Sequence, residues 1–336
     1  MGAESLILFL VVALFSAIIT KLSVVWAQKF NIENKIGMPL SGGIGILIAW
    51  WIAMLIFGAL SKQLILPLII ISLIILVFGV YDSRKPLSAF HQLFIQTIIA
   101  GVAVFGGGIS VSYITNPFGG IVNLSQTIFV GITIGQILSI IWIVGMINVV
   151  NFLDGLDGLA GSVVAIGLIT IGLVSLLPQV NDLTTALIAF SGAAATIGFL
   201  FWNIPPAKII MGTVGSWFLG FLIAILAING ASKVATTAVV GAVPLIDALI
   251  VVIGRLLLGH SPFRGDLTHL HHRLKRRGLS DRMILVIYIF CSVLLGLAAV
   301  ILQTQNKIIL FLIFSLGLVV FVFVGSQYVK RRMQSR

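Results

Sequence analysis

Long apolar runs separated by short polar segments repeat along the whole chain. Each run is close to the ~20 residues that a helix needs to cross a bilayer. Lipid satisfies no backbone hydrogen bonds, and a barrel strand would alternate apolar and polar residues, so these runs predict helices. We expect an all-α polytopic membrane protein with about eleven transmembrane helices, forming one integral membrane domain over residues 1–336. The predicted spans are 5–27, 41–60, 63–81, 91–112, 127–150, 158–177, 183–202, 211–231, 233–256, 283–303 and 308–329.

The composition favours a membrane protein over a soluble one. The chain has 336 residues, of which 60% are hydrophobic and 9% are charged, whereas soluble domains are nearer half apolar with about a quarter charged. The single cysteine, Cys291, lies in an apolar run, which excludes a disulfide framework and a cysteine-based metal site. The first run has no basic residue before it and no small-residue cleavage site, so we expect a retained span and not a signal peptide.

The loops divide into a strongly basic set and a nearly neutral set. Basic loops tend to remain cytoplasmic, so we expect an external N-terminus and a cytoplasmic C-terminus in a multi-pass protein of the bacterial inner (plasma) membrane. The net charge of +11 then reflects loop topology, and we expect no nucleic-acid partner. The basic set holds Lys29, Lys35, Arg84, Lys85, Lys208, Arg264, Arg273, Lys275, Arg276, Arg277, Arg282, Lys330, Arg331, Arg332 and Arg336, whereas the other set holds Lys62, Lys233 and Lys307.

All five histidines and most of the acidic residues fall on the same predicted cytoplasmic side. The distribution of Lys and Arg does not require this, because acidic residues contribute little to topology. A transporter would more often place its ionisable groups near the midplane, on broken helices. The pattern therefore favours chemistry at the cytoplasmic surface over transport.

Four polar residues recur every three positions in "NVVNFLDGLDGLAG", residues 148–161. They are Asn148, Asn151, Asp154 and Asp157, and on a helix the first three fall within an arc of about 120°. Carboxylate and amide oxygens are ligands for Mg²⁺ and partners for polar sugar groups. The alternative is a solvated, glycine-rich turn between two spans, but such a turn needs fewer polar residues than these four in register.

The longest predicted cytoplasmic loop, residues 257–282, is rich in histidine and arginine. It contains Asp266, His269, His271 and His272 in "HSPFRGDLTHLHHRLKRRG", residues 260–278. Histidines with basic residues at the inner interface suit a diphosphate or an anionic headgroup, and they can also bind a metal or move a proton. The alternative is a basic loop that only faces an anionic leaflet.

Two weaker groups of charged residues lie near the predicted cytoplasmic ends of spans. "GVYDSRKPL", residues 79–87, places Asp82, Arg84 and Lys85 just after a span. Asp247 and Arg255 are eight residues apart, which is about two turns along one helix face. They are candidates for a structural pair.

Together these stretches resemble the polyprenyl-phosphate N-acetylhexosamine-1-phosphate transferase family, glycosyltransferase family 4, which is related to phospho-N-acetylmuramoyl-pentapeptide transferase. The resemblance covers about residues 40–282, with the motifs in the family's order. Residues 148–160 are similar to the family's Asn-x-x-Asn-x-x-Asp-Gly-x-Asp-Gly-x-Ala signature. The other matching stretches are "GVYDSRKPLSAFHQLFIQ", "NIPPAKIIMGTVGSWFLG", "PLIDALIVVIGR" and "GHSPFRGDLTHLHHRL", whose spaced histidines resemble the branch using UDP-N-acetylhexosamine.

The resemblance implies transfer of a sugar-1-phosphate from a UDP-sugar to a polyprenyl phosphate, with release of UMP, in cell-envelope glycan synthesis. The implied partners are UDP-N-acetylhexosamine, the polyprenyl phosphate carrier, the membrane and a second copy in a homodimer. The implied cofactor is Mg²⁺, with Mn²⁺ as the alternative. Catalytic roles fall to Asp82, Asp154, Asp157, His269, His271 and His272; substrate-binding roles fall to Asn148, Asn151, Lys208, Asp247, Arg255 and Asp266; the metal candidates are Asn151 and Asp157.

Four positions depart from the family pattern. Ser83 replaces the second Asp of an Asp pair, Thr213 replaces the metal-binding Asp of Met-Gly-Asp, and Ile210 replaces an aromatic residue that stacks on uracil. The basic segment ahead of the glycines at 42–43 is reduced to Lys35. Two hypotheses remain open: an active transferase with a rearranged metal site, or a catalytically impaired relative that acts as a binding or scaffold protein.

Overall fold

The computed structural model describes residues 3–30, 32–33, 37–116, 120–129, 131–228, 231–257, 259 and 268–334. Helices dominate this part of the chain, and the strands form two short hairpins. The helices are α1 Ala3–Lys29, α2 Gly42–Phe57, α3 Lys62–Arg84, α4 Ala89–Gly101, α5 Ile134–Leu153, α6 Leu159–Leu176, α7 Leu183–Asn203, α8 Gly212–Ile228, α9 Ala231–Val240, α10 Ala242–Leu257, α11 Leu270–Arg276, α12 Asp281–Ile301 and α13 Thr304–Gln334. A π-helical turn, Val102–Gly106, continues α4.

Eight helices in the described part of the chain are long and apolar enough to cross a membrane. The number becomes nine if α9 and α10, which meet at an angle of 82°, form one broken span. The apolar helices α2 and α8 are shorter, with 16 and 17 residues. The run predicted as one span over 233–256 is divided between α9 and α10, whereas each of the other predicted runs contains one apolar helix. The prediction of a polytopic helical membrane protein is confirmed. The total of eleven spans and the orientation stay predictions.

The region between α4 and α5 differs from the sequence prediction. The run predicted over 91–112 ends its helical course at Gly106, ahead of Gly107 and Gly108, and Gly108 has a left-handed φ of 69°. Two antiparallel hairpins follow, formed by β1 Tyr113–Thr115 with β2 Ile121–Asn123 and by β3 Thr127–Phe129 with β4 Ile132–Thr133.

The helix predicted from residue 127 therefore begins at Ile134. Thr133 caps it, because its hydroxyl accepts from Gln136 N while the Gln136 side chain accepts from Thr133 N. This reciprocal capping fixes the start of α5. Hydrophobicity alone could not separate the β-branched strand residues from the helix that follows them.

Helix α8 lies at the centre of the packing, and most of its side chains are buried. It crosses α2 at Gly43, where an added Cβ would lie 2.0 Å from Gly215 N. It crosses α3 at Gly79, where an added Cβ would lie 2.8 Å from Val214 N. These close approaches bring the carboxyl end of α3 against the first turn of α8.

Backbone hydrogen bonds join the entrances of α2 and α8. Ile210 N donates to Pro39 O at 2.9 Å, and Gly42 N donates to Ile210 O at 3.0 Å. Gly43 N donates to Met211 O at 2.9 Å. This short ladder holds the residues just before Thr213 in place.

Candidate active site

The polar turn between α5 and α6 is held by side chains from neighbouring helices. Asn148 donates to Gln96 Oε1 at 2.6 Å, and Asn151 Oδ1 accepts from Ser216 Oγ at 3.0 Å. Asp154 directly follows α5, and Gly158, with a left-handed φ of 74°, directly precedes α6. The glycine allows the chain to reverse here without the strain that a side chain would add.

Asp82 and Thr213 meet between α3 and α8. Thr213 Oγ1 donates to Asp82 Oδ2 at 2.5 Å. The other carboxylate oxygen, Oδ1, accepts from Leu87 N at 2.7 Å and from Gln92 Nε2 at 3.2 Å. Three donors thus fix the orientation of the Asp82 carboxylate.

A chain of polar contacts joins this pair to the α5–α6 turn. Ser216 Oγ lies 3.4 Å from Thr213 O and 3.0 Å from Asn151 Oδ1. Asp154 accepts a hydrogen bond from the backbone of Gly212, directly before Thr213. The end of α3, the turn after α5 and the start of α8 therefore form one polar cluster.

The two aspartates of the turn have different environments. Burial raises the pKa of Asp154 from 3.8 to about 8, and the nearby Asp157 charge adds to this rise against the lowering effect of Gly212 N–H. Asp157 Oδ2 accepts from Ala207 N at 3.1 Å. Burial therefore favours the protonated form of Asp154 when no cation is bound.

The loop after α7 is tied to the turn by Asn203. Its Oδ1 accepts from Gly158 N at 2.9 Å, and its Nδ2 donates to Ile209 O at 2.8 Å. These bonds place Ala207 against Asp157. The next residue, Lys208, is exposed and lies 5.6 Å from the centroid of the Trp202 ring.

The histidines are organised by Asp247 of α10. Asp247 Oδ2 lies 2.9 Å from His269 Nδ1, and its Oδ1 accepts from Leu270 N at 2.8 Å. The His269 and His271 rings are parallel with centroids 6.0 Å apart, and His271 and His272 are 4.2 Å apart. One buried carboxylate therefore fixes the start of α11 and the first ring of the cluster.

The histidine cluster touches the α5–α6 turn at Gly155. A Cβ added to Gly155 would lie 3.0 Å from His271 Nε2 and 3.7 Å from His272 Nε2. Burial, followed by repulsion from His272, lowers the pKa of His271 from 6.5 to about 4. Burial also lowers the pKa of His272. Among the described residues, neither ring nitrogen of the buried His271 has a hydrogen-bond partner.

The structure thus brings together most of the residues predicted from the sequence. The cluster contains Asp82, Asn148, Asn151, Asp154, Asp157, Asp247, His269, His271 and His272. Arg255 is buried two turns beyond Asp247 on α10. Asp266 and Lys35 lie outside the described residues.

Sequence reasoning missed four side chains that support the cluster: Gln92, Gln96, Asn203 and Ser216. Gln92 and Gln96 are four residues apart, and hence on one helix face, inside a predicted span. Polar side chains at membrane depth are usually functional, so these two glutamines could have been recognised from the sequence. Ser216 carried no comparable signal in the sequence.

The predicted metal ligands do not form a site of acids and histidines alone. Within the described ranges, no group of three His, Cys, Asp or Glu side chains could hold a metal ion. The cluster still offers hard oxygen donors, namely the carboxylates of Asp154 and Asp157 and the amide oxygen of Asn151. Mg²⁺ commonly uses one or two carboxylates and completes its shell with water and substrate phosphates, so these residues fit a magnesium ion.

Comparison with known proteins decides the family. The sequence model of glycosyl transferase family 4 matches residues 65–231. A probable undecaprenyl-phosphate N-acetylglucosaminyl 1-phosphate transferase of Bacillus subtilis is 33% identical over 295 residues, covering 85% of this chain and 79% of that protein. The chain belongs to glycosyl transferase family 4. The resemblance drawn from the sequence, and with it the prediction of an enzyme, is confirmed.

Two further relatives resemble this chain over most of its length. The undecaprenyl-phosphate alpha-N-acetylglucosaminyl 1-phosphate transferase of Pasteurella multocida is 33% identical, over 84% of this chain and 80% of that protein. The phospho-N-acetylmuramoyl-pentapeptide-transferase of a Wolbachia strain is 31% identical, over 78% of this chain and 85% of that protein. The alignments cover most of each chain and therefore include both the aspartate turn and α8.

Proposed function

We propose that this protein transfers a sugar-1-phosphate, in particular N-acetylhexosamine-1-phosphate, from a UDP-sugar to a polyprenyl phosphate and releases UMP. The names of the relatives support a lipid-carrier acceptor and an N-acetylated amino sugar. Their bacterial sources support a place in the plasma membrane of a bacterium. Cell-envelope glycan synthesis, as of lipopolysaccharide or peptidoglycan, is the matching process.

The convergence of four chain segments in one polar cluster is the observation that carries this proposal. The end of α3 supplies Asp82, the α5–α6 turn supplies Asp154 and Asp157, and the start of α8 supplies Thr213. Helix α11 brings His271 against Gly155 in the same turn. A cluster at the ends of apolar helices suits a reaction between a lipid-borne phosphate and a water-soluble nucleotide sugar.

The reaction exchanges one phosphoanhydride for another. An oxygen of the carrier phosphate attacks the β-phosphorus of the UDP-sugar, and the bond from that phosphorus to the bridging oxygen of UMP breaks. The electron pair leaves with UMP, and the sugar-1-phosphate remains on the carrier as a lipid diphosphate. Because both substrates are anionic, positioning and charge stabilisation are the main tasks of the protein.

A bound Mg²⁺ would neutralise charge on the donor diphosphate and on the leaving UMP. Asp157 and Asn151 are the candidates to hold it, with the Asp154 carboxylate beside them. Thr213 stands at the family's ligand position, and its hydroxyl is already hydrogen bonded to Asp82. Ser83, at the second position of the family's Asp pair, donates to Gly79 O of its own helix at 2.9 Å. The charge of the site therefore rests on the aspartate turn and on Asp82.

The histidine cluster is suited to hold the donor. The lowered pKa of His271 and His272 leaves both rings neutral at neutral pH, and a neutral imidazole both donates and accepts a hydrogen bond. His271 has unfilled hydrogen-bonding capacity among the described residues and lies beside the aspartate turn. We assign His271 to contact with the diphosphate, and His269 to orientation of the cluster through Asp247.

The direct test is transfer by the purified protein. Labelled UDP-N-acetylhexosamine, polyprenyl phosphate and Mg²⁺ or Mn²⁺ should yield a labelled lipid diphosphate and one UMP per product. Loss of product in Asp157→Ala, with the variant folded, would place the site as proposed. Absence of product with either metal would favour the binding or scaffold protein, which the names of the relatives do not support.

A further inference from the structure

An apolar groove lies between α1, α2 and α3. Its volume is about 540 Å³. Its walls are aliphatic except for Ser23 and Trp26. The lining includes Leu22 and Trp26 of α1, Ile44 and Ile48 of α2, and Val77 and Val80 of α3.

Two cations lie beyond one end of the groove, next to its lining residues along α1 and α3. On α1 the lining residues Leu22 and Trp26 are followed at the same spacing by Phe30, which contacts Trp26 with ring centroids 5.1 Å apart. On α3 the lining residues Val77 and Val80 continue to Arg84 on the same face. The row of residues on α1 and the row of residues on α3 therefore end beside each other.

Phe30 and Arg84 meet at that point, and Lys29 joins them. Arg84 donates to Phe30 O at 2.6 Å, and its guanidinium carbon lies 5.9 Å from the Phe30 ring centroid. Lys29 Nζ lies 6.0 Å from the same centroid. Both cations are exposed, and neither pairs with a carboxylate in the part of the chain that the structure describes. We call Lys29, Phe30 and Arg84 the basic rim.

The basic rim lies away from the reacting groups. Asp82 is two residues from both Val80 and Arg84, so it projects about 200° around α3 from each of them. Its contacts are accordingly to Thr213 of α8 and to Leu87 and Gln92. A ligand in the groove would touch the face of α3 opposite to the active site.

We propose that this groove binds an anionic bilayer phospholipid, with one acyl chain between α1, α2 and α3 and the phosphate on Lys29 and Arg84. An apolar slot that ends at two exposed cations complements a lipid with an apolar chain and a negative headgroup. The basic rim lies on the face of α3 opposite Asp82, and this position favours a resident phospholipid over the reacting carrier. The bound lipid would hold α1 against α3, and so support the helix that presents Asp82.

Trp26 allows a direct test, because it lines the groove. Phosphatidylglycerol with brominated acyl chains, added to the protein in neutral detergent micelles, should quench Trp26. The Trp26 signal is the difference between the wild type and Trp26→Phe, since the chain has six tryptophans. Each cation near an anionic headgroup changes affinity about fivefold. We therefore expect brominated phosphatidylglycerol to quench at a concentration at least about tenfold lower than brominated phosphatidylcholine does.

Matched variants separate the two parts of the proposed site. Lys29→Gln with Arg84→Gln should remove the preference for phosphatidylglycerol, whereas Lys85→Gln, next to the basic rim, should keep it. Ile48→Phe should fill the groove and weaken quenching by both lipids. Leu66→Phe, on an exposed part of α3 outside the groove, should not. Thermal melting checks that each variant is folded, and the charge variants alter only exposed side chains.

Three results would overturn the proposal. The first is equal quenching by the two brominated lipids. The second is an equal loss of preference in Lys85→Gln and in the basic-rim variant. The third is displacement of brominated phosphatidylglycerol by polyprenyl phosphate at a lower concentration than by unlabelled phosphatidylglycerol, which would assign the groove to the carrier. None of these measurements requires transfer activity, so they stand apart from the test of the proposed function.

Discussion

Thr213 at the start of α8 donates a 2.5 Å hydrogen bond to Asp82 at the end of α3. The resemblance drawn from the sequence implies a metal-binding aspartate at the Thr213 position. A hydroxyl at this position orients Asp82 without adding a second negative charge. A neutral hydroxyl and one carboxylate thereby meet at the junction of α3 and α8.

Removing this hydroxyl should impair transfer without unfolding the protein. Thr213→Val keeps the branched shape of the side chain and deletes the donor to Asp82. A hydrogen bond to a charged group contributes ~1.5–3 kcal/mol, so we expect kcat/KM to fall about 10- to 150-fold. Thr213→Ser retains the donor and should keep most of the activity. Equal rates for Val and wild type would show that the contact has no part in the reaction.

Asp157→Asn should weaken the binding of the divalent cation. The amide oxygen of the variant can still accept from Ala207 N, so the loop after α7 should stay in place. The lost charge should raise the Mg²⁺ concentration for half-maximal transfer by at least about tenfold, which corresponds to ~1.4 kcal/mol.

The control for this prediction is Asp281→Asn, which removes an exposed carboxylate paired with Lys275 on the surface. It should leave the Mg²⁺ titration unchanged. An unaltered titration in Asp157→Asn would exclude this carboxylate as a metal ligand.

The sequence predicted the helices well and the region between α4 and α5 poorly. Apolar runs of membrane length identify helices because lipid leaves the backbone no other partner. The two hairpins, β1–β2 and β3–β4, were not predicted from the sequence. Their Ile, Val and Thr residues continue the apolar pattern whether the backbone forms a strand or a helix. The start of α5 depends on the reciprocal capping of Thr133 and Gln136, which is a local contact within an otherwise apolar pattern.

The site residues were predictable by type, but not their partners. Asn148, Asn151, Asp154 and Asp157 stood out because polar groups are costly near a bilayer. The contact of Thr213 with Asp82 joins positions 131 residues apart, and it depends on Gly79, which lets α3 approach α8. Neither the distance along the chain nor the close backbone approach leaves a signal in a single sequence.

Stability should depend on pH through His271. Burial lowers the pKa of His271 from 6.5 to about 4, so between these values the unfolded chain binds a proton that the folded protein does not. Stability therefore falls as the pH falls through this window, and His271 contributes no slope above it. Asp154 acts in the opposite direction, because its raised pKa of about 8 makes the folded state bind the extra proton between pH 3.8 and 8.

The contribution of His271 is measured as the difference between the wild type and His271→Gln. The thermal unfolding midpoints of the two proteins, measured at pH 7.5, 6.5, 5.5 and 4.5, should converge or cross as the pH falls. The wild type should lose more stability than His271→Gln. Asp154 is present in both proteins, so its contribution cancels in the difference. A constant difference over this range would contradict a buried neutral His271.

Gly155 lies where the aspartate turn meets the histidine cluster. We expect its lack of a side chain to be required for binding of the UDP-sugar. A Cβ at this position would lie 3.0 Å from His271 Nε2, so Gly155→Ala should displace the ring while leaving the backbone of the turn intact. We expect a raised KM for the UDP-sugar with an unchanged KM for the lipid carrier, because the histidines are assigned to the donor. Gly145→Ala is the matched control, since no atom of the described residues lies within 4 Å of the added Cβ. A helix-interior alanine there should, if anything, stabilise α5 by about 0.5–1 kcal/mol. An equal rise in both KM values for Gly155→Ala would mean that the turn, and not the histidine contact, had been disturbed.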